Sequence, residues 1–406
     1  MSAVETATGR RLKLGVVGLG RAFTLMLPTF LADRRIELVA AADPRAEATR
    51  RFASEFGART YASVEELCGD PAVEVVYIAT PHQYHASHVI VAAANGKHAL
   101  VEKPMATTLE DCARMIEAAE RARVRLIIGH SHSFDRPIQR AREIVASGDV
   151  GELRLINAQY YTDFLFRLRR SEELDTRQGG GAVFNQAAHQ LDIVRLLGGG
   201  RVRSVRALTG AWDAARPTEG AYAALLTFDS GAVASILYSG YAHFDSDELC
   251  GAIGELGWPK HASAYGAARR NLRRVTASTD ELALKNARNY GGAEFASSGS
   301  GTATNDAAWH QHFGFVLVSC DRADLRPLPT GVMIYGDDDA RLEALSRPAV
   351  PRVEVIDELY DAVVLGRPPL HDGRWAMATV EACLAILESA REGRDITLRH
   401  QVGLPL

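Results

Sequence analysis

The chain has 406 residues, of which 47% are apolar and 24% are charged, close to the averages of globular proteins and enough for two or three domains. Its net charge is −4 with histidine neutral, so charge does not favour a nucleic acid or an anionic membrane as partner. The first residues show no secretion signal and no run reaches 18 apolar residues, so we expect a cytoplasmic protein without a membrane span.

The first 132 residues alternate short β-branched runs with amphipathic stretches, a pattern typical of a parallel sheet covered by helices on both faces. Strands are predicted over Leu12–Val17, Ile36–Ala41, Val75–Ala79, His98–Val101 and Arg125–Ile128. Apolar residues at helical spacing between Asp111 and Ala122 predict one of the covering helices. The sequence therefore predicts the α/β class, with an N-terminal doubly wound domain over residues 1–132.

A glycine-rich turn links the first strand to the first predicted helix. Gly18 allows a tight turn, Gly20 lets the backbone approach a phosphate, and the helix N-terminus offers N–H groups and a positive dipole end. The third position of this dinucleotide pattern is normally Gly or Ala, and here it is Phe23. We therefore place the pyrophosphate of a dinucleotide against Gly18, Gly20, Arg21, Ala22 and Phe23.

Asp43 ends the second predicted strand, where its carboxylate can accept hydrogen bonds from the ribose hydroxyls of such a cofactor. A carboxylate there repels the 2′-phosphate of NADP and so favours NAD. Arg45 leaves NADP open, because it could hold that phosphate; the alternative is an ordinary exposed arginine in the first turn of a helix. We predict NAD as the cofactor, with NADP not excluded.

Two loops follow later strands at the edge where open α/β sheets bind ligands. One begins at Thr80-Pro81 and continues to His85, and the other is Glu102-Lys103-Pro104. Pro104 disfavours helical backbone at Lys103, so the ammonium can project into the crevice. We assign Thr80, Pro81, His85, Glu102 and Lys103 to the cofactor side of the site, and Lys103 also to catalysis.

After residue 132 longer strands follow one another, which predicts an α+β domain with a largely antiparallel sheet over residues 133–406. Its predicted strands are Glu152–Tyr161, Val202–Gly210, Ala221–Phe228, Ala232–Tyr241 and Glu248–Ile253, and its last helices cover about 352–365 and 374–391. Residues 257–330, rich in turn formers, are interpreted as a long insertion that is a substrate lid, a subunit arm or a mobile loop.

A glycine triplet, residues 179–181, precedes a predicted helix that carries Asn185, His189 and Asp192. The glycines let backbone and ligand approach closely, and the spacing i, i+4, i+7 places the three polar residues on one stripe. The structural alternative is that His189 is an ordinary helix histidine and that Asp192 pairs with Arg195 one turn later.

The motifs GLGRAF, TPHQYH, VEKP and GGGAVFNQAAHQLD occur in this order, and the chain resembles the glucose-fructose oxidoreductase, inositol dehydrogenase and MocA (Gfo/Idh/MocA) family over nearly its whole length. The resemblance implies a Rossmann domain, an open-faced sheet through which dimers or tetramers form, and NAD(P)-linked oxidation or reduction of a secondary alcohol or carbonyl. It makes Lys103 and His189 catalytic and places His85 at the floor of the nicotinamide site. The acid of the family's D-x-x-x-H element is Asn185 here, which can orient a substrate but cannot ionise.

The segments GLGRAFTLMLPTF, NQAAHQLDIVRLLGGG, Trp258-Pro259-Lys260 and HFGFVLVSCDRADLRP resemble most the 4,5-dihydroxyphthalate (phthalate dihydrodiol) dehydrogenase branch of the family. This implies oxidation of a carboxylated cyclic cis-diol, such as 4,5-dihydro-4,5-dihydroxyphthalate, to a catechol. An arginine should then hold the carboxylate, and the candidates are Arg167, Arg169 and Arg170; the alternative is a solvated basic turn.

Two other functions stay open, a polyol or sugar (inositol-like) dehydrogenase and a non-catalytic dinucleotide-sensing regulatory protein. The histidines at 82, 85, 88, 310 and 312 lack acidic or cysteine partners at metal-ligand spacing, so we expect no metal site. The expected partners are a small-molecule substrate and further copies of the chain, without nucleic acid or membrane.

Overall fold

Short apolar strands separated by amphipathic helices assemble into a six-stranded parallel sheet. The computed structural model describes residues 9–275, 278–295 and 308–404. The strands of this sheet are β1 (Leu12–Val17), β2 (Ile36–Ala42), β3 (Arg59–Tyr61), β4 (Val75–Ile78), β5 (His98–Val101) and β6 (Leu126–Ile128). Their order is β3-β2-β1-β4-β5-β6, with parallel neighbours throughout. The strand order reverses between β1 and β4, which places the ligand-binding crevice of such sheets at their carboxyl ends.

A second, nine-stranded sheet is mixed and largely antiparallel. Its strands are β7 (Leu153–Tyr161), β8 (Val202–Gly210), β9 (Ala221–Phe228), β10 (Val233–Ser239), β11 (Phe315–Cys320), β12 (Asp324–Leu328), β13 (Gly331–Tyr335), β14 (Ala340–Ala344) and β15 (Ile396–Thr397). They lie in the order β14-β13-β12-β11-β7-β10-β9-β8-β15, and β7 and β10 are its parallel pair. The chain is therefore α/β with a Rossmann sheet and a separate mixed sheet, as the sequence predicts.

Some of the helices begin behind a side-chain cap and others begin without one. They are α1 (Arg21–Ala32), α2 (Ala46–Phe56), α3 (Val64–Gly69), α4 (His85–Ala94), α5 (Leu109–Ala122), α6 (Arg136–Ser147), α7 (Ala188–Gly198), α8 (Ala267–Leu272), α9 (Ser278–Ala287), α10 (Val353–Val364) and α11 (Gly373–Glu392). Thr108, for example, accepts a hydrogen bond from the Asp111 N–H and so starts α5. Among the described residues no helix combines the length and the apolar composition that a membrane crossing requires.

The described chain separates into two compact units, one around each sheet. The parallel-sheet unit comprises residues 9–130, 283–295 and 350–377, and the mixed-sheet unit comprises residues 131–275, 278–282, 308–349 and 378–404. Residues 350–377, which the sequence analysis placed in the C-terminal domain, belong with the parallel sheet because they extend its edge. Ile127 of β6 bridges to Asp372, and the Ile128 N–H donates to the His371 carbonyl at 2.9 Å.

Two sequence predictions in the second half of the chain are wrong. The predicted strand Glu248–Ile253 is instead a 3₁₀ turn over Ser246–Cys250, because the Asp245 side chain accepts the Asp247 N–H and Gly251 leaves the turn with φ +73°. The predicted insertion over 257–330 is too long, since strands β11 and β12 lie within it. Alternating buried residues such as Val316 and Val318 return the chain to the mixed sheet from Phe315 onward.

Candidate active site

The turn after β1 has the geometry that a bound pyrophosphate requires. Gly18 has φ +92°, and a Cβ on it would lie 2.8 Å from the Ala79 carbonyl oxygen, so the turn excludes any larger residue. A Cβ on Gly20 would meet nothing within 4 Å, and helix α1 begins directly after it without a side-chain cap. The N-terminal N–H groups of α1 and the open space over Gly20 therefore fit a phosphate ligand.

The Gly20→Ala substitution should weaken cofactor binding without lowering the stability of the fold. Because the added methyl meets no protein atom and Gly20 has φ −82°, we expect the unfolding temperature to stay at the wild-type value. NAD affinity should fall about tenfold or more, since the methyl occupies the approach to the pyrophosphate. Calorimetric titration with NAD and thermal denaturation measure the two effects. Gly18→Ala, in contrast, should lose both affinity and stability, and a Gly20→Ala protein that binds NAD like wild type would contradict the assignment.

Phe23, at the third position of the glycine pattern, does not present its side chain to a cofactor. It is fully buried, and its ring packs against Phe52 and Tyr290 with centroid distances of 5.9 and 5.2 Å. If Phe23 contacts the cofactor as predicted, only its backbone atoms can do so, because its side chain is buried. The space that Gly or Ala leaves in the usual pattern is filled here by packing between α1, α2 and the segment around residue 290.

Asp43 lies against the glycine turn, as its position in the sequence predicts. Its Oδ2 accepts the Leu19 N–H at 2.7 Å and its Oδ1 accepts the Arg45 Nε–H at 3.1 Å. The Arg45 guanidinium also donates to the Leu19 carbonyl at 2.8 Å and to the Tyr290 carbonyl at 3.2 Å. Arg45 is thus not an ordinary exposed arginine. Its guanidinium is also not available to bind a 2′-phosphate, because it already donates hydrogen bonds to Asp43 and to two backbone carbonyls. The opposite charges of Asp43 and Arg45 offset each other, so the pair has no net positive charge that would attract the 2′-phosphate of NADP. This agrees with NAD as the cofactor.

His85 connects the loop after β4 with the loop after β5. Its ring is fully buried, with Nδ1 3.0 Å from the Pro104 carbonyl oxygen and Nε2 3.0 Å from the Thr80 carbonyl oxygen. Burial lowers the pKa of His85 to about 4, so the ring is neutral near pH 7. The neutral ring can donate one hydrogen bond, to the carbonyl of either Pro104 or Thr80, and it packs between the two loops. Thr80 and Pro81 are half-buried at this edge.

Lys103 extends from the same edge, one residue beyond a fixed carboxyl group. The Tyr77 hydroxyl donates to Glu102 Oε1 at 2.5 Å, and burial raises the pKa of Glu102 although Tyr77 and nearby positive charges oppose the shift. Pro104, directly after Lys103, has its carbonyl beside His85. Glu102 and Pro104 are buried while Lys103 is half-buried, so its neighbours fix its backbone and the side chain reaches the surface of the parallel-sheet unit.

In the mixed-sheet unit, the glycine triplet is locked by a glutamate that the sequence analysis missed. Glu219 is buried; its Oε1 accepts the Val183 N–H at 3.0 Å and its carbonyl accepts the Ala182 N–H at 2.8 Å. Gly181 has φ +80°, and a Cβ on it would clash with the Glu219 carboxylate. Glu219 thus caps the helical segment that leads to His189, a role that only the three-dimensional pairing reveals.

Glu219→Ala should destabilise this unit and lower turnover. The buried Val183 N–H loses its acceptor, which costs about 1–3 kcal/mol of unfolding free energy, and the turn that carries Asn185 loses its anchor. Chemical denaturation and steady-state kinetics measure both effects. Glu152→Ala is the matched control, since 76% of that side chain is exposed and its loss should change stability by about 0.5 kcal/mol or less.

Asn185 and His189 do not share one α-helical stripe, because residues Val183–Ala187 form a π-helical turn before α7. The Asn185 amide donates to the Gly181 carbonyl at 2.8 Å, so it braces the glycine triplet. Asp192 accepts from Thr379 at 3.0 Å and lies 3.8 Å from the Arg195 guanidinium, both inside the protein. The structural alternative is therefore correct for Asp192. The His189 side chain is buried in α7, where its ring lies next to the rings of His132 and Phe313.

A His-Asp pair that the sequence analysis did not single out lies beside His189. His132 and His189 have ring centroids 4.7 Å apart, and His132 Nδ1 is 2.6 Å from Asp135 Oδ2. Glu255 lies 3.6 Å from the other ring nitrogen of His132. Burial works against the imidazolium, but the charges of Asp135 and Glu255 outweigh it and raise the pKa of His132. The H-x-x-D spacing was the only sequence signal for this pair.

Aromatic rings line the end of the mixed sheet next to His189, and we call them the aromatic wall: Tyr160, Phe164, Tyr238 and Phe313. Phe313 lies 4.8 Å from both His189 and Tyr160, between ring centroids. Tyr238 stacks on Phe313 at 6.4 Å and meets Phe164 at 6.2 Å. All four side chains are buried, and His189 borders this aromatic cluster.

Of the three candidate arginines, two are committed to protein groups. Arg169 donates to the Phe164 carbonyl at 2.7 Å, and burial lowers its pKa to about 10. Arg170 pairs with Glu172 at 2.9 Å. Arg167 makes an ion pair with Asp163 only at 3.8 Å and keeps 47% of its side chain exposed. Arg167 therefore has the most exposed side chain of the three, while the buried Nε–H of Arg169 lacks a hydrogen-bond partner within the described residues.

The histidines considered as metal ligands contact the protein itself. Nε2 of His310 is 2.9 Å from the Ser346 carbonyl oxygen and Nε2 of His312 is 2.9 Å from the Ile253 carbonyl oxygen. His88 Nδ1 is 3.1 Å from the Thr80 hydroxyl. These contacts give each ring a local structural role.

Both units contain segments that match known protein families. Residues 12–130 match the oxidoreductase family with NAD-binding Rossmann fold (GFO_IDH_MocA), and residues 138–259 match the GFO/IDH/MocA C-terminal domain. The chain belongs to the Gfo/Idh/MocA family. As a member of this family with an NAD-binding domain, it is an NAD-dependent oxidoreductase.

Individual Gfo/Idh/MocA relatives match almost end to end. A Comamonas testosteroni protein named 1-carboxy-3-chloro-3,4-dihydroxycyclohexa-1,5-diene dehydrogenase is 50% identical over 94% of this chain and 95% of its own length. The crystal structure of a dehydrogenase from Bordetella bronchiseptica is 41% identical and superposes with a TM-score of 0.88 over 96% of this chain and all of that one. The WlbA dehydrogenase of Bordetella pertussis, solved with NADH, shares the fold at 21% identity, with a TM-score of 0.66 over 96% and 99% of the chains.

Proposed function

We propose that this chain uses NAD to oxidise a secondary alcohol of a carboxylated cyclic cis-diol, which yields a catechol after tautomerisation. The observation that carries the proposal is the position of His189 at the edge of the aromatic wall, with Phe313 4.8 Å away. Aromatic surroundings beside His189 favour a flat unsaturated ring over a sugar, because sugars present hydroxyl groups on both faces. The Comamonas relative, whose name specifies a carboxylated cyclohexadiene diol, supports the same substrate class.

Each candidate residue has a definable part in such a reaction. Bound NAD supplies the acceptor for the hydride that leaves the carbinol carbon. The amine of Lys103 takes the hydroxyl proton and polarises the carbonyl in the reverse direction. The proposed part of His189 is that of a second proton carrier or of a hydrogen-bond donor that orients a hydroxyl. Asn185 cannot ionise, so its part is to hold the glycine triplet through Gly181.

A substrate panel tests the proposal. Purified protein is incubated with NAD and, in turn, a carboxylated cyclohexadiene cis-diol, the uncarboxylated diol, myo-inositol and glucose, while NADH absorbance is followed. We expect the carboxylated diol to have the highest kcat/KM. A preference for inositol or glucose would make the chain a polyol or sugar dehydrogenase, and NAD binding without turnover of any compound would make it a dinucleotide sensor.

We also propose that the chain forms homo-oligomers through the outer face of the mixed sheet. Leu208 of β8 and Leu225 of β9 are 66% and 61% exposed on this face, and Leu342 of β14 is 43% exposed. Apolar side chains exposed over a flat sheet are stabilised when a second copy covers them. Sedimentation velocity should show a dimer or tetramer that Leu225→Glu dissociates; a monomeric wild-type protein would refute this arrangement.

A further inference from the structure

Residues 289–295, which we call the 289–295 segment, pack against helices α1 and α2 although they come far later in the chain. The Tyr290 side chain of this segment is fully buried, and its ring meets those of Phe23 and Phe52 with centroid distances of 5.2 and 6.2 Å. The Tyr290 hydroxyl donates to Glu55 Oε2 at 2.8 Å. At Tyr290 the segment is therefore a packed part of the parallel-sheet unit.

Backbone and cationic contacts hold the segment on both sides of Tyr290. Gly291 has φ +81°, and a Cβ on it would lie 2.6 Å from the Ala48 Cα atom, so the backbone itself lies directly on α2. The Arg51 guanidinium lies over the rings of Tyr290 and Phe295, 5.3 and 4.7 Å from their centroids. The position of the Tyr290 backbone is thus fixed by its neighbours as well as by its own ring.

The fixed backbone of Tyr290 supplies a hydrogen-bond acceptor for Arg45. The Tyr290 carbonyl accepts from Arg45 Nη1 at 3.2 Å, and the Leu19 carbonyl accepts from Nη2 at 2.8 Å. Asp43 accepts from Nε at 3.1 Å. Each of the three guanidinium nitrogens therefore has a protein acceptor, and only 19% of the Arg45 side chain is exposed. An Arg45 that turned to a ligand would take this donor away from the buried Tyr290 carbonyl, which disfavours the movement.

The position of Arg45 decides how the site treats the 2′-phosphate of NADP. In dinucleotide-binding folds an acidic residue at this place binds the ribose hydroxyls of NAD, whereas a nearby arginine accommodates the phosphate of NADP. Here the carbonyls of Tyr290 and Leu19 keep the guanidinium beside Asp43, whose carboxylate repels a phosphate. A guanidinium released from Tyr290 is able to turn outward and bind the phosphate by two parallel N–H bonds.

We infer that the 289–295 segment sets the preference of this chain for NAD over NADP, because it holds Arg45 beside Asp43. Tyr290 acts through Arg45 and is therefore a positioning residue. Phe23 belongs to the same arrangement, since the ring that replaces the usual Gly or Ala of the dinucleotide pattern is one of the surfaces on which Tyr290 packs. The inference concerns the cofactor alone, so it stands or fails independently of the diol proposed as substrate.

Cofactor titrations of the full chain without substrate test the inference. Nicotinamide fluorescence gives the dissociation constants of NADH and NADPH, and their ratio is compared between proteins. We expect wild type to bind NADH about 100-fold or more tightly than NADPH, because like charges oppose binding. Tyr290→Ala should lower this preference about tenfold through tighter NADPH binding, since the released Arg45 gains hydrogen bonds to a charged group. A wild type that prefers NADPH, or a folded Tyr290→Ala protein with the wild-type ratio, would overturn the inference.

Two comparisons distinguish positioning of Arg45 from a general loosening of the site. Tyr290→Phe keeps the ring and loses only the bond to Glu55, so it should keep most of the wild-type preference. In an Arg45→Ala background, Tyr290→Ala should leave NADPH affinity nearly unchanged, because no guanidinium remains to be released. The same gain in NADPH affinity with and without Arg45 would refute the inference, and so would equal weakening of NADH and NADPH by Tyr290→Ala.

A milder pair of variants decides the question if circular dichroism shows that Tyr290→Ala does not fold. Arg51→Gln removes the guanidinium that lies over Tyr290 and Phe295, and Arg50→Gln removes the same charge from an exposed neighbouring position of α2. We expect the preference for NADH to fall about threefold in Arg51→Gln, the size of a cation–π contact, and to keep its wild-type value in Arg50→Gln. Equal ratios in these two variants would then overturn the inference.

Discussion

Lys103→Ala should reduce kcat by about 10²–10⁴-fold, the usual contribution of a general acid or base, while NAD affinity stays within about threefold of wild type. We propose the amine as the proton acceptor for the substrate hydroxyl, whereas we expect the pyrophosphate of NAD to bind at Gly18 and Gly20. Stopped-flow and steady-state NADH formation measure turnover, and calorimetric titration with NAD measures binding.

The environment of Lys103 makes this variant interpretable. Its neighbours Glu102 and Pro104 are held independently, by the Tyr77 hydroxyl at 2.5 Å and by the contact of the Pro104 carbonyl with His85. Shortening the lysine should therefore leave the loop in place. Lys13→Ala, at an exposed position of β1, is the control and should keep full turnover. A Lys103→Ala enzyme with wild-type kcat would show that another group carries the proton.

The sequence predicted the elements whose signals are local. β1 and β8 have the predicted bounds, and the helical pattern predicted between Asp111 and Ala122 lies within α5, which begins two residues earlier behind its Thr108 cap. The Gfo/Idh/MocA motifs gave the family and the cofactor, which the comparisons confirm. The assignment of Lys103, His189 and Asn185 to catalysis, in contrast, stays a prediction.

Features that depend on contacts between residues far apart in the sequence could not be predicted. Arg45 is held by the carbonyl of Tyr290, 245 residues later, so its commitment is invisible in the local pattern around Asp43. Glu219 locks Gly181 and Val183 although nothing in its own surroundings marks it as a cap. The π-helical turn Val183–Ala187 also escaped prediction, because one extra residue per turn leaves the apolar pattern nearly unchanged. Each case is a tertiary contact that overrides or completes a local preference.

The domain division illustrates the same limit. The sequence pattern changes near residue 132, where the alternation of strand and helix stops, but it carries no sign that residues 350–377 return to the first sheet. That return includes the backbone pairing of Ile127 and Ile128 with residues 371–372 and the Arg125 side chain, which donates to the Ala362 carbonyl at 3.1 Å. Arginine side chains that bind carbonyls of remote segments leave no periodic signal in a sequence.

His189→Asn should lower kcat about 10²-fold or more, because an amide can keep a hydrogen bond to the reacting oxygen but cannot carry its proton. The effect should fall on kcat more than on KM, since Arg167 and the aromatic wall, which we expect to contact the substrate, remain. The measurement is the full dependence of rate on diol concentration, together with binding of 3,4-dihydroxybenzoate to the holoenzyme. Binding within about threefold of wild type would show that the ring site is intact.

A purely structural His189 predicts a different pattern. His189 packs against His132 and Phe313, so if packing were its only role, Asn would lower stability and ligand affinity together and leave kcat of the folded fraction unchanged. The control variant is His243→Asn, which removes an imidazole from an exposed position of the same unit. It should have the kcat and the ligand affinity of wild type. Loss of kcat at constant ligand affinity therefore distinguishes a part of His189 in proton transfer, beside Lys103, from packing alone.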